Sequence, residues 1–234
     1  RKDTKLHTVC IGAEPHSEEQ RKRIEQLLGV KAYNCFGMSE MNGPGVAFEC
    51  TEQNGLHIWE DNVIVEIVDP VTLQPVPEGE VGELVLTTIN REAMPLLRYR
   101  TRDLTCILPG DCPCGRTHKR LARFKGRSDD MIILKGVNLF PIQIEKILMQ
   151  FKELGSNYLI TLETIGNSDE MLIEVELSDL FTDDYSALQR LTKGITRQLK
   201  DELLLTPRIK LVAKGSLPTT DGKAVRVKDH RKLC

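Results

Sequence analysis

Three cysteines and one histidine are the first side chains in this sequence whose types and spacing could do chemistry. Cys112 and Cys114 form a C-x-C, while Cys50 and His57 lie on an earlier strand pair within FECTEQNGLHIWE. Two cysteines and a Cys/His pair can surround one zinc ion as a closed tetrahedral site, which would pin a loop to a sheet. The C-x-C departs from the usual two-residue gap, so reduced thiols without a metal are an equal alternative.

Two charged groups at turns could act on a ligand. Asp103 ends the segment YRTRD, where a carboxylate can accept hydrogen bonds from both hydroxyls of a ribose. The alternative is a surface ion pair between Asp103 and Arg100 or Arg102. Lys223 follows an Asp-Gly pair in LPTTDGKAVR near the end of the sequence. Asp-Gly is a strong hairpin signal, so the alternative there is a hairpin tip with Lys223 as a solvated charge.

The elements that must position these groups begin with a strand and a helix. Residues 6–11 form a short apolar run that Gly12 ends, which predicts a strand. Ser17 and Gln20 predict a capping box, and the helix that follows is closed by Gly29. Alternating apolar segments separated by turn residues then predict mostly β-structure over residues 30–123.

The pattern changes after FKGRSDD and predicts a small α+β unit. We expect a strand over 131–134, a Gly-Val-Asn turn and a helix over 141–151 that begins at Pro141. Strands NYLITLE and EMLIEVEL, the helix SALQRLTKGITRQLKDELL and the strand RIKLVAKG follow. The sequence therefore predicts two domains, residues 1–128 and 129–234.

The composition is that of an ordinary globular protein. The 234 residues are 40% hydrophobic and 28% charged, and the formal net charge of −2 argues against nucleic-acid or membrane binding by charge alone. No apolar run is long enough to span a bilayer, and the start does not resemble a signal peptide. Seven widely spread cysteines favour a reducing, cytoplasmic location. A homodimer is compatible with the sequence. The cysteines expected to be packing or surface residues are Cys10, Cys35, Cys106 and Cys234.

Six segments together resemble a known superfamily, although each is weak alone. They are GAEP, FGMSEMNGPGVAFEC, LRYRTRD, CPCGRTH, GRSDDMIILKGVN and LPTTDGKAVRV. In this order and at these separations they resemble the adenylate-forming superfamily of acyl-CoA synthetases, non-ribosomal adenylation domains and luciferases. Within the superfamily, they look like the phenylacetate–CoA ligases.

The resemblance implies an α/β fold in which the mostly β tail of a large N-terminal domain precedes a small, mobile α+β lid. One departure is large, because the Ser/Thr/Gly-rich loop that cradles the ATP phosphates in such ligases does not occur here. We therefore expect a C-terminal portion of a longer enzyme. A portion without activity of its own is a further alternative.

The implied reaction is the ATP-dependent ligation of an aryl acid, phenylacetate, to coenzyme A. The acid would first become an acyl-adenylate with release of pyrophosphate, and the thiol would then displace AMP. Another aryl acid or a fatty acid is an open alternative, because the small residues of MNGPGV permit an aromatic ring without requiring one. An alternative of another class is a zinc-bearing basic module that binds nucleic acid through CGRTHKRLARFKGR.

The resemblance also assigns roles to individual residues. The adenine would lie along Gly12, Ala13, Glu14 and Pro15 and stack on Phe36, although a plain strand-to-helix turn is an equal interpretation of GAEP. Asp103 and Arg127 would hold the ribose or phosphate side, and Asp129 would be the hinge. Glu40 would bind Mg²⁺, and Lys223 would act in adenylation. The remaining residues expected at the nucleotide or coenzyme A are Gly37, Met38, Ser39, Lys135, Gly136 and Asn138.

Overall fold

A computed structural model describes residues 5–41, 43–166, 168–179, 184–218 and 224–231. Lys223 and the neighbouring Gly222 lie outside these ranges. The described chain divides into two compact units, one within residues 1–15 and 21–130 and the other within residues 16–20 and 131–234. The division after Asp130 is two residues from the boundary expected between 128 and 129. Among the helices of the described residues, none combines the length and apolar composition that a membrane crossing requires.

Among the described residues the first unit has ten strands, and one helix is divided between the units, with residues 18–20 in the second and the rest in the first. In chain order these are β1 (Thr8–Ile11), α1 (Glu18–Leu28), β2 (Lys31–Met38), β3 (Gly43–Glu49), β4 (Leu56–Ile58), β5 (Val63–Val68), β6 (Gly82–Thr88), β7 (Tyr99–Thr105), β8 (Ile107–Leu108), β9 (Arg120–Leu121) and β10 (Gly126–Arg127). One half of the expected capping box is present, because Ser17 Oγ accepts a hydrogen bond from the Gln20 amide at 3.2 Å, whereas the Ser17 amide donates to Glu145 at 3.0 Å and not to Gln20. Gly29 follows the helix with a φ of 61°, as a helix-ending glycine should.

Two sheets organise this unit. The first has the order β1-β2-β3-β4-β9-β8, with β1 and β2 parallel and the other pairs antiparallel. The second is antiparallel, in the order β10-β7-β6-β5. Their apolar side chains form one core, whose members include Val46, Leu56, Ile58, Ile67, Leu84, Leu86 and Leu121. The expected β-structure over residues 30–123 is therefore present.

A carboxylate lies inside the second sheet. Glu83 of β6 has no solvent exposure, and Arg100 of β7 donates to its two oxygens at 2.8 and 2.7 Å. Ser128 Oγ lies 3.4 Å from the same carboxylate, and Arg102 Nη1 lies 3.8 Å away. The hydrogen bonds from Arg100 hold the pKa of Glu83 below its usual value. The arginines of YRTRD thus have Glu83 as a partner.

The second unit is an α+β sandwich. Its elements are β11 (Ile132–Leu134), β12 (Val137–Leu139), α2 (Pro141–Leu148), β13 (Leu154–Ile165), β14 (Ser168–Leu177), α3 (Tyr185–Leu203), β15 (Arg208–Val212) and β16 (Val227–Asp229). Strands β11 and β12 form a hairpin, and the other four form a sheet in the order β15-β14-β13-β16. Leu191, Ile195 and Leu199 recur every four residues, so one face of α3 is buried in the same core as Ile160 and Ile173.

Two sequence-based expectations for this unit are wrong. Helix α2 ends at Leu148, three residues before the expected Phe151. The expected Gly-Val-Asn turn is instead a turn at Lys135 and Gly136, with φ values of 50° and 81°. Two left-handed residues are what a two-residue hairpin loop requires, so Val137 and the residue after it join β12.

The Asp-Gly pair, for which a hairpin tip was the alternative interpretation, lies outside the described residues, but the strands on either side of it are described. A hairpin would pair the strands on either side of it. However, β15 pairs with β14 and β16 pairs with β13, both in parallel, so the two flanking strands occupy opposite edges of the sheet. The segment that contains Lys223 therefore joins two strands that are not neighbours.

Replacing Glu83 with Gln should destabilise the first unit in a pH-dependent way. Loss of a hydrogen-bonded charge should cost roughly 1.5–3 kcal/mol at neutral pH. The pKa of this carboxyl is lowered on folding, so its contribution is present above the unfolded value of 4.5 and disappears as the pH falls through the lower folded value. Urea unfolding of this unit would be followed by the fluorescence of Trp59, the single tryptophan, at neutral pH and again at a pH below the folded pKa of Glu83.

The matched control for this experiment is Glu66→Gln on the neighbouring strand β5. Glu66 pairs with Arg98 at 3.1 Å, but both side chains are partly exposed, so the change should cost less than about 1 kcal/mol. Equal losses for the two variants, or a loss at Glu83 that persists unchanged in acid, would contradict the role of a buried charge.

Candidate functional site

The GAEP segment leaves β1 directly beside β2. The two strands are parallel, and Ile11 is the cross-strand partner of Asn34. Gly12, the next residue, therefore lies next to Cys35. A Cβ atom on Gly12 would be 2.6 Å from the carbonyl oxygen and from Sγ of Cys35, so no larger residue fits. Ala13 follows with a φ of 69°, a conformation that alanine rarely adopts. Gly12 is therefore required by packing between strands, and Ala13, the next residue, is exposed together with Pro15.

Phe36 follows Cys35 on β2 and contacts a second aromatic ring. The centroids of Phe36 and Phe124 are 4.4 Å apart, and the ring planes are inclined by 39°. Both side chains are half-buried and pack against the core of the first unit. The GAEP segment and the predicted adenine-stacking residue thus lie at the carboxyl ends of adjacent parallel strands, where α/β sheets bind ligands.

The residues from Phe124 to Asp130, here called the linker segment, run along β7. Their backbone amides bond to it at Lys125 and Ser128, which donate to Leu104 O at 2.9 Å and to Arg102 O at 2.7 Å. Between these bonds, Arg127 of β10 is the direct cross-strand partner of Asp103. The linker segment therefore carries Phe124, which contacts Phe36, and also the partner of the predicted ribose ligand.

Arg127 connects the ribose candidate to the hinge candidate. Its guanidinium donates to both carboxylate oxygens of Asp129, at 2.8 and 2.7 Å. This contact lowers the pKa of Asp129, and the same contact raises the pKa of Arg127, with the charge of Asp103 adding to the rise. Asp103, Arg127 and Asp129 are thus one electrostatic group within the first unit.

The rest of the FGMSE motif turns away from β2. Gly37 lies where the register between β2 and β3 is interrupted, and Met38 pairs with Gly43 beyond it. Ser39 and Glu40 begin a 3₁₀ turn, Ser39–Met41, and the Glu40 carbonyl accepts a hydrogen bond from Arg91. Glu40 remains a predicted magnesium ligand, and its backbone position is held by the contact with Arg91.

The remaining coenzyme candidates belong to the second unit. Lys135 and Gly136 form the tip of the β11–β12 hairpin, and Asn138 lies on β12 opposite Ile133. The Lys135 ammonium lies 3.5 Å from a carboxylate oxygen of Glu170. All three candidates are exposed, as residues at a hairpin tip should be. Lys223, the catalytic candidate, lies outside the described residues.

The cysteine and histidine candidates come together as the spacing predicts. Cys50 Sγ lies 3.6 Å from Cys112 Sγ, and Cys114 Sγ lies 3.4 Å from His57 Nε2. All four ligand atoms lie within 4.8 Å of one another. Cys50 follows β3, His57 lies on β4, and the other two come from the loop between β8 and β9.

The environments of these thiols differ. Burial is the main cause that raises the pKa of Cys50 above its usual value. Hydrogen bonds from Arg116, first from its backbone amide, lower the pKa of Cys114 from 9.0 to about 7. Burial also lowers the pKa of His57, which favours its neutral form.

The basic stretch proposed as a nucleic-acid contact is engaged within the protein. Arg120 is buried and donates to the carbonyl oxygens of Asn54, Gly110 and Asp111. Lys119 pairs with Glu78 at 3.4 Å, and Arg127 binds Asp129 as described. Three cations of this stretch are therefore engaged by partners within the protein.

Two residues of the site were missed by the sequence interpretation. Phe124 contacts Phe36, and Glu83 binds Arg100 and the linker segment at Ser128. The clue to Glu83 was available, since a lone Glu opens the apolar run GELVL in a strand otherwise free of charge. Nothing in the local sequence pattern marks Phe124.

Comparison with known proteins shows what this arrangement belongs to. Two family models match, the AMP-binding enzyme over residues 1–90 and the AMP-binding enzyme C-terminal domain over residues 136–231. The phenylacetate–coenzyme A ligase of Thermus thermophilus is 43% identical over 242 residues, which cover 97% of this chain and 54% of that protein. The chain spans about half the length of the curated relatives it matches.

Solved structures give the same result. A 2-hydroxyisobutyryl-CoA ligase in its postadenylation state, in complex with R3-HIB-AMP, matches with a TM-score of 0.85 and 30% identity, over 94% of this chain and 48% of that chain. The same ligase with 2-HIB-AMP and CoA in the thioesterification state matches with a TM-score of 0.52 and 31% identity, over 97% and 48%.

These matches confirm the predicted fold class, because the α/β and α+β elements described above are those of adenylate-forming CoA ligases over about half their length. The chain belongs to the family of AMP-binding, adenylate-forming enzymes, and its highly similar curated relatives in that family are phenylacetate–coenzyme A ligases.

Proposed function

We propose that the protein takes part in the ATP-dependent ligation of phenylacetate to coenzyme A, with AMP and pyrophosphate as the other products. The observation that carries this proposal is the linker segment. It contacts the predicted adenine residue through Phe124 and the predicted ribose residue through Arg127, and it contains the predicted hinge residue Asp129. The proposed nucleotide site and the proposed hinge would thus share seven consecutive residues.

The nucleoside half of ATP would bind at the first unit. The adenine would lie along residues 12–15 and against Phe36, where Gly12, directly after β1, closely approaches Cys35 of β2. The carboxylate of Asp103 would accept hydrogen bonds from the ribose hydroxyls, and Arg127 opposite it would face the ribose or phosphate side. Glu40 would bind Mg²⁺, which is usually held by one or two carboxylates and the substrate phosphates.

Adenylation would join the acid to the α-phosphorus of ATP. The substrate carboxylate attacks phosphorus, and the bond to pyrophosphate breaks. Negative charge gathers between the two reactants as they approach, so a compact ammonium that bridges them stabilises the transition state. Lys223 is proposed for this role on its position in LPTTDGKAVR.

Thioester formation would follow a rotation about Asp129. The coenzyme A thiol attacks the acyl carbon, and AMP leaves. The similar 2-hydroxyisobutyryl-CoA ligase has postadenylation and thioesterification states, which supports a rotation of this kind. The hairpin tip, with Lys135, Gly136 and Asn138, would then line the pantetheine channel. The bidentate bond between Arg127 and Asp129 is partly exposed, so a rotation can break it at a small cost.

The identity of the acid rests on the curated relatives. Several of them are phenylacetate–coenzyme A ligases at 39–43% identity. Another aryl acid or a fatty acid would use the same adenylate chemistry and is the alternative to be tested by substrate competition. The proposal includes a cytoplasmic location, where thiols stay reduced, and a homodimer as the oligomeric state.

Replacing Asp103 with Ala should weaken the binding of ATP and AMP. Loss of a charged hydrogen-bond partner costs about 1.5–3 kcal/mol, or roughly a 10- to 150-fold rise in the apparent KM for ATP. Ligase assays on the full-length protein, together with AMP titration, would measure both effects. Asp61→Ala removes an exposed aspartate from the same unit and should leave both values unchanged. If ATP dependence were the same in a folded Asp103→Ala variant, Asp103 would not bind the ribose.

Replacing Lys223 with Ala should separate the two half-reactions. Pyrophosphate release from acid and ATP should fall by about 10²–10³, the effect of deleting one preorganised transition-state donor. The same variant supplied with synthetic phenylacetyl-adenylate should form the thioester at nearly the parent rate, because rotation would already have withdrawn Lys223.

Lys214→Ala is the matched control for Lys223. Lys214 is an exposed lysine on the same connection and pairs with Asp179, so its loss should change neither half-reaction. Equal loss of both half-reactions in Lys223→Ala would argue against a rotation. Unchanged rates in both would remove Lys223 from the mechanism and leave the nucleotide-binding proposal to the Asp103 experiment.

A further inference from the structure

We propose that Cys50, His57, Cys112 and Cys114 bind one zinc ion as a closed structural site. In tetrahedral zinc sites the Zn–S and Zn–N bonds are about 2.3 and 2.0–2.1 Å, which sets the ligand atoms roughly 3.3–3.8 Å apart. The closest pairs here are 3.6 and 3.4 Å apart, and all four atoms lie within 4.8 Å of one another. The ligand atoms thus have the spacing of a zinc site with no position left for a substrate.

The histidine is oriented for metal binding. His57 Nδ1 lies 3.3 Å from the carbonyl oxygen of His118. A carbonyl can only accept, so Nδ1 carries the proton and Nε2 presents its lone pair to the cluster. A second hydrogen bond that fixes the tautomer is a regular feature of histidine ligands to zinc. His57 is also buried, so its ring cannot turn outward to water.

The thiolates have donors around them. Cys50 accepts from the amide of Glu52, and Cys114 accepts from the amide of Arg116, each two residues further along the chain. The Arg116 guanidinium also lies 3.5 Å from Cys114 Sγ. Three thiolates on one Zn²⁺ leave one net negative charge, which this guanidinium offsets.

The turn between β3 and β4 and the loop between β8 and β9, which supply three of the four ligands, are also joined by hydrogen bonds beside the cluster. Arg120 of β9 donates to Asn54 in the turn between β3 and β4 and to Gly110 and Asp111 in the loop between β8 and β9. These are the turn and the loop that supply Cys50 and the C-x-C. Because a buried guanidinium holds them together, the ligands are preorganised, and zinc would bind without a large rearrangement.

The site has a structural consequence for the nucleotide-binding edge. His57 is the cross-strand partner of Phe48, and Phe48 is the partner of Cys35. Cys35 in turn touches Gly12 at the start of GAEP. The four residues thus form a row across the sheet. Zinc would fix this row at His57, and its other end, Gly12, belongs to the proposed adenine site. Zinc would act as a support and take no part in the reaction.

Elemental analysis of the full-length protein tests the proposal directly. Protein carrying a tag without histidines, purified without chelator and with reductant, should contain about one zinc per chain, since four ligands fill one tetrahedral shell. Replacing zinc with Co²⁺ should give the visible absorption of a tetrahedral ion and thiolate charge transfer in the near ultraviolet. Removal of zinc should lower the melting temperature, and added zinc should restore it.

Variants distinguish this cluster from other thiols. Cys112→Ser and His57→Ala should lose zinc, whereas His57→Cys should keep it, because a fourth thiolate completes the same shell. Cys10→Ser and Cys35→Ser remove thiols outside the cluster and should keep it as well. The His57→Cys variant matters because zinc loss in the other two could follow from misfolding.

Several outcomes would overturn the site. One is protein without zinc whose Co²⁺ spectrum shows no tetrahedral ion. Another is zinc that survives both Cys112→Ser and His57→Ala in folded protein. A third is a disulfide between Cys50 and Cys112, located by peptide mapping of unreduced protein that was kept with reductant during purification.

Discussion

A carboxylate that has no access to water must be surrounded by donors, and Glu83 takes its donors from the elements that carry the candidate nucleotide site. Arg100 comes from β7, the strand of Asp103, and Ser128 comes from the linker segment. Satisfying this one charge therefore fixes the strand and the linker segment in a single arrangement. Arg127 can then pair across the ladder with Asp103 while its guanidinium binds Asp129.

The two units use different means to hold their functional residues. The second unit has a continuous apolar core between a sheet and two helices, with Leu191, Ile195 and Leu199 on one buried face. The first unit has short strands, many turns and buried polar contacts at Glu83, Arg120 and the Cys/His cluster. Buried polar networks specify one arrangement when every member is satisfied. A binding edge built from loops gains the most from that kind of support.

Local signals in the sequence were sufficient to predict most helices and strands. They did not show which strands pair or which distant residues contact one another. The cap at Ser17, the closing Gly29 and the β-rich middle follow from residue type and spacing. The same local reasoning offered a hairpin as the alternative at Asp-Gly, and it could not show that the flanking strands β15 and β16 lie on opposite edges of their sheet. It also missed Phe124, whose contact with Phe36 depends on the path of the linker segment. The Cys/His cluster was predicted across 62 residues, because ligand chemistry restricts partners more tightly than apolar packing does.

The position of Arg127 has a thermodynamic consequence. The residue shares one short ladder with Asp103 and one bidentate ion pair with Asp129. A ligand that hydrogen-bonds to the Asp103 carboxylate therefore changes the electrostatic field at Arg127, in which the ion pair with Asp129 forms. Breaking that ion pair likewise changes the electrostatic field at Asp103. Such coupling is reciprocal by necessity: any amount by which a ligand at Asp103 changes the stability of the Arg127–Asp129 pair is the amount by which that pair changes the affinity for the ligand. Under the proposed function, a single guanidinium would link nucleotide binding to the proposed hinge without a separate sensor.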